Sequence, residues 1–296
     1  MNRIFLLMVL GIAISFTACD SSKQLAKTQQ TAQQAYNNGD YATALNLWEG
    51  VIADYEQKDN KKQCPVYTEA GMAAQKLGQT DKAINYLKQA NWSEFSKEET
   101  YLTLAEIYRE KGNLSLELVN LETYLEKFPQ GAGRSEVNKR LFKLYVESDN
   151  FEKALNMWGN LLPDQQSEVE LLQGYLAVND KVDNDTACFE ISNKILEQDE
   201  NNEAALKWLS NYYFWKAEKR YQAEMKAYEK HKTRKQYKIL LNALDQVTVE
   251  YKKSLNYALR LYKLNPEPKT AKLLSKCYTR LDNKKKAAYY KKLAGK

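Results

Sequence analysis

Glycine and proline are scarce in this chain of 296 residues, with 11 and 5 copies. Both residues interrupt helices, glycine through its backbone freedom and proline through its missing N–H group. The abundant residues, among them alanine, leucine, lysine, glutamate and glutamine, favour helices. The composition therefore predicts an all-α protein.

Histidine and paired cysteines are also lacking. His231 is the sole histidine, and none of the four cysteines forms a CxxC pair. The sequence has no glycine-rich phosphate loop, nucleophile elbow or metal-ligand spacing. We therefore expect no catalytic residue, no metal site and no cofactor. Apart from Cys19, three cysteines remain, so a complete disulfide framework is not expected, although one isolated pair stays open.

Charge is distributed unevenly along the chain. Residues 216–296 contain 23 Lys and Arg against 7 Asp and Glu, whereas residues 1–215 contain 21 against 31. A polarity of this size favours an interaction surface, and a solvated helical surface is the plainer alternative.

The N-terminus carries the pattern of an export signal. Arg3 precedes an apolar run from Ile4 to Ala18 that is too short to span a bilayer as a helix. The run ends in Phe16-Thr17-Ala18-Cys19, which resembles a bacterial lipobox. This resemblance implies a signal peptide over residues 1–18, a lipidated Cys19 and a short tether over residues 19–24. Plain secretion and a retained anchor are the alternatives. We expect an extracytoplasmic lipoprotein, with the outer membrane favoured.

A short turn followed by an amphipathic helix recurs along the chain. Its copies begin at Gly39, Gly78, Gly112, Asp149 and Asp282. About 14 residues of helical periodicity precede each copy, so the repeating unit is predicted to be helix, turn, helix.

The second unit carries the clearest repeat signature. Its aromatic, small and large apolar positions are Tyr67, Gly71, Gly78, Ala83, Leu87 and Ala90. This pattern resembles the tetratricopeptide repeat (TPR) family, whose period is about 34 residues. Equivalent small-residue positions recur mostly every 33 to 39 residues, with one interval of 67 between Ala187 and Ser254. That interval is close to two periods and suggests a unit that has lost its signature. The resemblance implies a TPR-type hairpin solenoid, with TPR-like repeats over residues 25–202.

Residues 203–266 form a distinct segment that is basic and rich in tyrosine. From Glu203 to Asn265 the chain has neither glycine nor proline. The apolar spacing predicts two long helices of about 26–30 residues with a bend near residues 231–235, and a single rod is the alternative. Residues 267–296 are predicted to be a last TPR-like, capping unit.

Two sets of residues are candidates for binding. In TPR arrays the first helix of each unit lines a concave surface, and the resemblance implies that this surface contains Glu99, Leu102, Glu106, Arg109, Glu136, Lys139, Lys143 and Val146. The second set is a basic patch formed by Lys230, Lys232, Arg234, Lys235 and Lys238. In addition, the aromatic run over residues 211–215 is too long for one helix face to bury entirely. Some of its rings are therefore expected to face outward.

These observations lead to an expected function. The chain resembles the TPR lipoproteins of the Bacteroides group, which implies a membrane-anchored scaffold that binds protein partners in the bacterial cell envelope. The alternative is a lipoprotein that captures a glycan or peptide for an uptake system. The basic segment suits an acidic protein, another copy's acidic half, anionic lipid or surface glycan. Nucleic acid is not an expected partner, because a lipoprotein lies outside the cytoplasm.

Overall fold

The computed structural model describes residues 23–295, and the regular structure in this range is helical. The predicted signal peptide, Cys19 and the tether up to residue 22 lie outside the described residues. The chain divides into two compact units, one up to Val137 and one from Asn138 onward. Within the described residues, no helix is both long enough and apolar enough to cross a bilayer.

The helices of the first unit run in antiparallel pairs. They are α1 (residues 23–37), α2 (Tyr41–Gln57), α3 (Tyr67–Lys76), α4 (Thr80–Trp92), α5 (Glu98–Glu110) and α6 (Leu114–Lys127). A short 3₁₀ turn, Lys61–Gln63, precedes α3. Helix α7 (Arg134–Glu147) crosses the boundary between the two units.

The helices of the second unit continue the pairing but differ widely in length. They are α8 (Phe151–Trp158), α9 (Val169–Lys181), α10 (Asp185–Gln198), α11 (Glu203–Lys230), α12 (Arg234–Leu264), α13 (Pro268–Arg280) and α14 (Lys284–Ala294). A second 3₁₀ turn, Gln165–Ser167, precedes α9. The all-α, hairpin-based fold with a long helical pair near the C-terminus, as the sequence predicted, is confirmed.

One turn geometry closes most of these hairpins. A residue with positive φ ends the first helix, and an Asn or Asp that usually follows it caps the second. At Gly112 φ is 66°, the N–H of Asn113 donates to the Tyr108 carbonyl at 2.8 Å, and the Asn113 side chain accepts from the Leu116 N–H at 3.0 Å. The left-handed residue is Gly39, Gly78, Gly112, Asp149, Asp183 or Asp282. Glycine and aspartate tolerate this backbone region best, which explains why these types recur at the turns.

Small residues set the distance between paired helices in the first unit. Gly71 on α3 faces Leu87 on α4 so closely that a Cβ atom on Gly71 would lie 2.6 Å from the Leu87 Cγ. Ala74, Ala83 and Leu87 are fully buried in the same core. The TPR-like signature of this unit is therefore a packing signature, in which small residues admit the large side chain of the partner helix.

Helices α11 and α12 form one elongated hairpin of 28 and 31 residues. The prediction that the 67-residue interval hides a lost unit is wrong, because a single hairpin with lengthened helices occupies it. No glycine or proline interrupts either helix, so both continue past the length of their neighbours. The chain reverses at residues 231–233, within the predicted bend, and the Thr233 side chain caps α12.

An ion pair between the buried Glu218 and the more exposed Arg280 joins this hairpin to the last one. The guanidinium of Arg280 on α13 donates to both carboxylate oxygens of Glu218 on α11, at 2.6 and 2.9 Å. The Tyr251 hydroxyl on α12 donates to the same carboxylate at 2.6 Å, and Arg280 stacks on Tyr221. Burial acts to raise the pKa of Glu218, but the hydrogen bonds from Arg280 and Tyr251 outweigh burial and hold that pKa below its usual range.

The Gly71–Leu87 contact gives a stability prediction. Gly71→Ala is expected to destabilise the protein by about 1–3 kcal/mol, because Leu87 is buried and cannot move away from the new methyl group. Gly50→Ala is the matched control, since no atom lies within 4 Å of its Cβ position and alanine favours the helix by up to about 1 kcal/mol. The measurement is the thermal midpoint by circular dichroism. Equal midpoints for the two variants would contradict the close approach.

The Glu218–Arg280 pair gives a pH prediction. Glu218→Gln is expected to cost about 1.5–3 kcal/mol at pH 7, because it removes hydrogen bonds to a charged group. Since the pKa of Glu218 is lowered in the folded protein, this contribution is present above the usual glutamate pKa near 4.3 and is lost as pH falls through the folded value. Unfolding midpoints of the variant and the wild type should therefore converge as the pH falls below about 4.3 and through the folded value. Glu229→Gln, at an exposed position on the same helix, is the control variant. A gap between Glu218→Gln and the wild type that does not narrow on acidification would contradict this assignment.

Candidate functional site

The second unit contains an open cleft where α9, α10 and α11 meet. Its volume is about 730 Å³, within the range of about 300–1,000 Å³ that is usual for ligand sites. The lining residues are Gln173, Leu176, Ala177 and Asp180 from α9, Asp185 from α10, and Ala204, Lys207, Trp208, Asn211, Tyr212, Trp215, Lys216 and Lys219 from α11. We call this site the α9–α11 cleft.

Helix α11 supplies most of the lining because one of its sides is not covered by a partner helix. Trp208, Tyr212, Trp215 and Lys219 follow one another at intervals of three or four residues, which places them on one side of the helix. The intervening apolar residues Leu209, Tyr213 and Phe214 are buried on the other sides. The expectation that part of the aromatic run faces outward is confirmed, since Trp215 is 52% exposed.

The aromatic residues of the cleft are held by specific contacts. The rings of Trp208 and Tyr212 stack with centroids 4.9 Å apart, and the Trp208 indole N–H donates to Asp180 Oδ1 at 2.9 Å. The Lys276 ammonium lies 5.5 Å from the centroid of the Trp215 ring. Two of the three rings are thus fixed in place while Trp215 remains accessible, which is the arrangement of a preformed apolar surface.

The charge of the cleft is mainly positive. Lys207, Lys216 and Lys219 line it against two carboxylates, and one of these, Asp180, already accepts the Trp208 hydrogen bond. Within residues 23–295 the structure shows an ion pair for only one of the three lysines, Lys216, whose Nζ lies 3.8 Å from Glu250 Oε1. The apolar surface of the cleft, bordered by lysines, suits a segment that carries apolar side chains together with acidic ones.

The residues predicted to line a concave surface lie on α5 and α7. Glu99, Glu106 and Arg109 are exposed on α5, with Leu102 half-buried, and Glu106 and Arg109 approach to 4.0 Å. Glu99 also borders a smaller cavity of about 180 Å³. None of the eight predicted residues lines the α9–α11 cleft. Their role in binding stays a prediction.

On α7 the predicted residues make contacts that the sequence did not indicate. Lys139 and Lys143 each form an ion pair of 2.7 Å, with Glu168 and Glu170 at the start of α9. The hydrogen bond from Lys143 lowers the pKa of Glu170. Val146 is half-buried against Gly174, and Glu136 is exposed. The two lysines therefore connect neighbouring helices in addition to facing solvent.

The predicted basic patch surrounds the turn of the long hairpin. Lys230, Lys232, Arg234, Lys235 and Lys238 are all exposed, and no ion pair to them appears in the described part of the chain. The hydrogen bonds and ring contacts of residues 222–246 are all made within the α11–α12 hairpin. An example is the 5.7 Å contact between the rings of Tyr228 and Tyr237. We call this end of the hairpin the basic tip.

The three cysteines of the described residues are buried thiols. Cys64, Cys188 and Cys277 are buried and free, and burial raises the pKa of each thiol, to about 11 for Cys64 and Cys277 and about 12 for Cys188. Thiols with such pKa values stay protonated near neutral pH and are poor nucleophiles. Among residues 23–295, no group of three or more His, Cys, Asp or Glu side chains is arranged to hold a metal ion.

No protein-family model and no curated protein matches this sequence. Among solved structures, the chain is similar to a candidate protein-binding protein from Bacteroides ovatus, with 20% identity over 63% of this chain and 98% of the other and a TM-score of 0.49. It is also similar to a tetratricopeptide repeat protein from Parabacteroides merdae, with 14% identity over 92% and 93% of the two chains and a TM-score of 0.45. A TPR protein from Bacteroides fragilis shows 13% identity over 86% and 98%, with a TM-score of 0.35.

The chain thus resembles TPR proteins, several of them from the Bacteroides group, as the repeat pattern predicted. These likenesses lie below 25% identity and below a TM-score of 0.5. The hairpins of the chain itself therefore establish the fold, and the surfaces of the chain are the guide to its function.

Proposed function

We propose that this protein is a lipid-anchored scaffold of the bacterial cell envelope that holds a segment of a partner protein in the α9–α11 cleft. The observation that carries the proposal is the cleft itself, which combines a stacked Trp208–Tyr212 pair, an accessible Trp215 and three lysines on a helical-hairpin framework. Tryptophan and tyrosine are among the residues that contribute most to protein interfaces, and lysines at the border of an apolar surface select for acidic partners. The proposal involves no catalytic step.

A partner segment fits the cleft better than a rigid partner surface. The cleft is concave and runs along α11 from Ala204 to Lys219, a rise of about 22 Å at 1.5 Å per residue. A helix or an extended chain can lie along such a length with its apolar side chains on the rings. Acidic side chains of the same segment would meet Lys207 and Lys219.

Anchoring forms the second part of the proposal. It is supported by the lipobox-like Phe16-Thr17-Ala18-Cys19 after a short apolar run. Acyl chains on Cys19 would hold the protein firmly, since each buried CH₂ contributes about 0.8 kcal/mol. The outer membrane is the proposed location.

A labelling experiment tests the anchor. Wild-type protein grown with radiolabelled palmitate is expected to carry label and to enter the detergent phase on Triton X-114 partitioning, whereas Cys19→Ala should carry none and lose most of that partitioning. Cys64→Ala is the control, because Cys64 is fully buried and should not affect the anchor. Density-gradient separation of the membranes then reports the location. Equal labelling of wild type and Cys19→Ala would refute the anchor.

A crosslinking pull-down from membranes tests the cleft. Trp215→Ala is expected to weaken partner binding about 30-fold, the effect of a loss of about 2 kcal/mol at an interface centre. Trp92→Ala is the matched control, since Trp92 is a similarly exposed tryptophan at the end of α4. A third variant reverses the five charges of the basic tip.

The outcomes of this pull-down separate the possible interfaces. Loss of a defined protein partner in Trp215→Ala alone supports the cleft. Loss only in the charge-reversed tip would move the interface to the end of the long hairpin and contradict the cleft. An unchanged partner in both variants would favour the predicted surface of α5 and α7.

A second candidate function is capture of a glycan or peptide for an uptake system. An accessible tryptophan in a defined cleft favours it, because aromatic rings stack on small ligands as well as on protein side chains. Recovery of glycan or free peptide, with no protein crosslinked to the wild type, would support this candidate and refute the scaffold.

A further inference from the structure

A second cavity, of about 380 Å³, lies between α10, α11 and α12. Its lining residues are Phe189, Tyr212, Tyr213, Lys216, Arg220, Gln246, Val249, Glu250 and Lys253. Tyr212 and Lys216 also border the α9–α11 cleft, whereas α9 does not reach this cavity. We call it the Glu250 crevice.

The carboxylate of Glu250 is poorly satisfied for a buried charge. The residue is 8% exposed, and its Oε2 atom has no hydrogen-bond partner. Its Oε1 atom lies 3.8 Å from the Lys216 Nζ and 3.9 Å from an Arg220 Nη atom, which is beyond hydrogen-bond length. Buried carboxylates normally accept close hydrogen bonds, because an unsatisfied charged oxygen is costly. Oε2 is shielded from solvent, whereas Oε1 accepts no hydrogen bond, and Glu250 lines the crevice. Oε1 is therefore the acceptor that remains for a donor entering the crevice.

Cations outnumber the single carboxylate in the crevice. Lys216, Arg220 and Lys253 all line it, and the guanidinium of Arg220 also donates to the Gln246 side chain. The Lys253 ammonium lies 5.1 Å from the centroid of the Tyr213 ring. Three cations and one anion leave a positive excess, so the crevice favours an anionic group beside the carboxylate.

Aromatic rings form the apolar part of the lining. The Phe189 ring lies 5.6 Å from Tyr212 and 6.3 Å from Tyr213, while Tyr213 stacks on Tyr257 at 6.0 Å. Tyr212 and Phe189 are half-buried, which leaves part of each ring open to the cavity. Such rings pack against a flat or ring-shaped ligand.

We propose that the Glu250 crevice binds a small, ring-shaped hydroxy acid. The ligand's carboxylate lies among Lys216, Arg220 and Lys253, one hydroxyl group donates to Glu250 Oε1, and the ring packs on Phe189 and Tyr212. A sugar acid and an aromatic hydroxy acid share this chemistry. Tyr212 and Lys216 border both sites, but Phe189, Arg220, Glu250 and Lys253 lie outside the lining of the α9–α11 cleft, so the inference does not require the proposed protein partner.

Calorimetry on the full chain in detergent tests the proposal with four probes. Galacturonate and 4-hydroxybenzoate carry a ring, a carboxylate and hydroxyl groups, whereas acetate carries only the carboxylate and galactose carries only the hydroxylated ring. At least one of the first two is expected to bind ten times more tightly than both acetate and galactose. The tighter of the two identifies the ring type. Binding no stronger than that of acetate would overturn the proposal.

Substitutions place the binding in the crevice. Glu250→Met and Lys253→Met are each expected to weaken binding of the tighter probe at least tenfold. Lys252 is an exposed lysine adjacent to Lys253 on α12, and Lys252→Met should leave that binding unchanged. Circular dichroism checks the folding of each variant, and if Glu250→Met does not fold, Lys253→Met at its exposed site carries the test. Unchanged affinity in Lys253→Met would refute the site. That result would leave the proposed protein partner untouched, because the crosslinking pull-down with Trp215→Ala tests the α9–α11 cleft separately.

Discussion

The left-handed turn between paired helices is the constraint on which the rest of the structure depends. A residue with positive φ reverses the chain, and in five of the six turns of this kind the next residue, an Asn or Asp, caps the following helix with its side chain. Because the turn fixes where each helix begins, it also fixes which small residues face the partner helix. Gly71 meets Leu87 only because the turn at Gly78 places α4 in that register. The helices of a pair would otherwise be free to slide along one another.

Helix α11 brings the functional surfaces together. Its 28 residues pack against α10 near Tyr212 and Tyr213 and against α12 along most of its length, and Glu218 joins it to α13. One side of the helix remains open as the cleft, and a second side borders the Glu250 crevice. Tyr212 and Lys216 contribute to the lining of both. A single helix therefore borders two cavities of different composition.

Much of the fold could be predicted from the sequence because its rules are local. The turns at Gly39, Gly78 and Asp149 and the uninterrupted run after Glu203 each specify a neighbouring helix without reference to distant residues. The same local character explains why the 67-residue interval was wrongly interpreted as two repeats. A fixed period assumes helices of similar length, and nothing local marks where a helix without glycine or proline must stop.

The sites were harder to predict because they depend on contacts between helices. Trp208 resembles a core residue in the sequence, and only the stacking on Tyr212 and the hydrogen bond to Asp180 show that it borders a cleft. Glu250 resembles any solvated glutamate until its burial is known. Lys139 and Lys143 were assigned to a binding surface, whereas their carboxylate partners on α9 were not identifiable without the fold.

The turn at residues 231–233 differs from the others in a way that bears on what sets the length of the long hairpin. It has no left-handed residue, its side chains are exposed, and the Glu218–Arg280 pair holds the hairpin from well below it. Residues can be added or removed here in whole helical turns without altering the register of the neighbouring hairpins. The length of the hairpin is therefore adjustable independently of the repeats, because no contact of the other hairpins depends on where this turn lies.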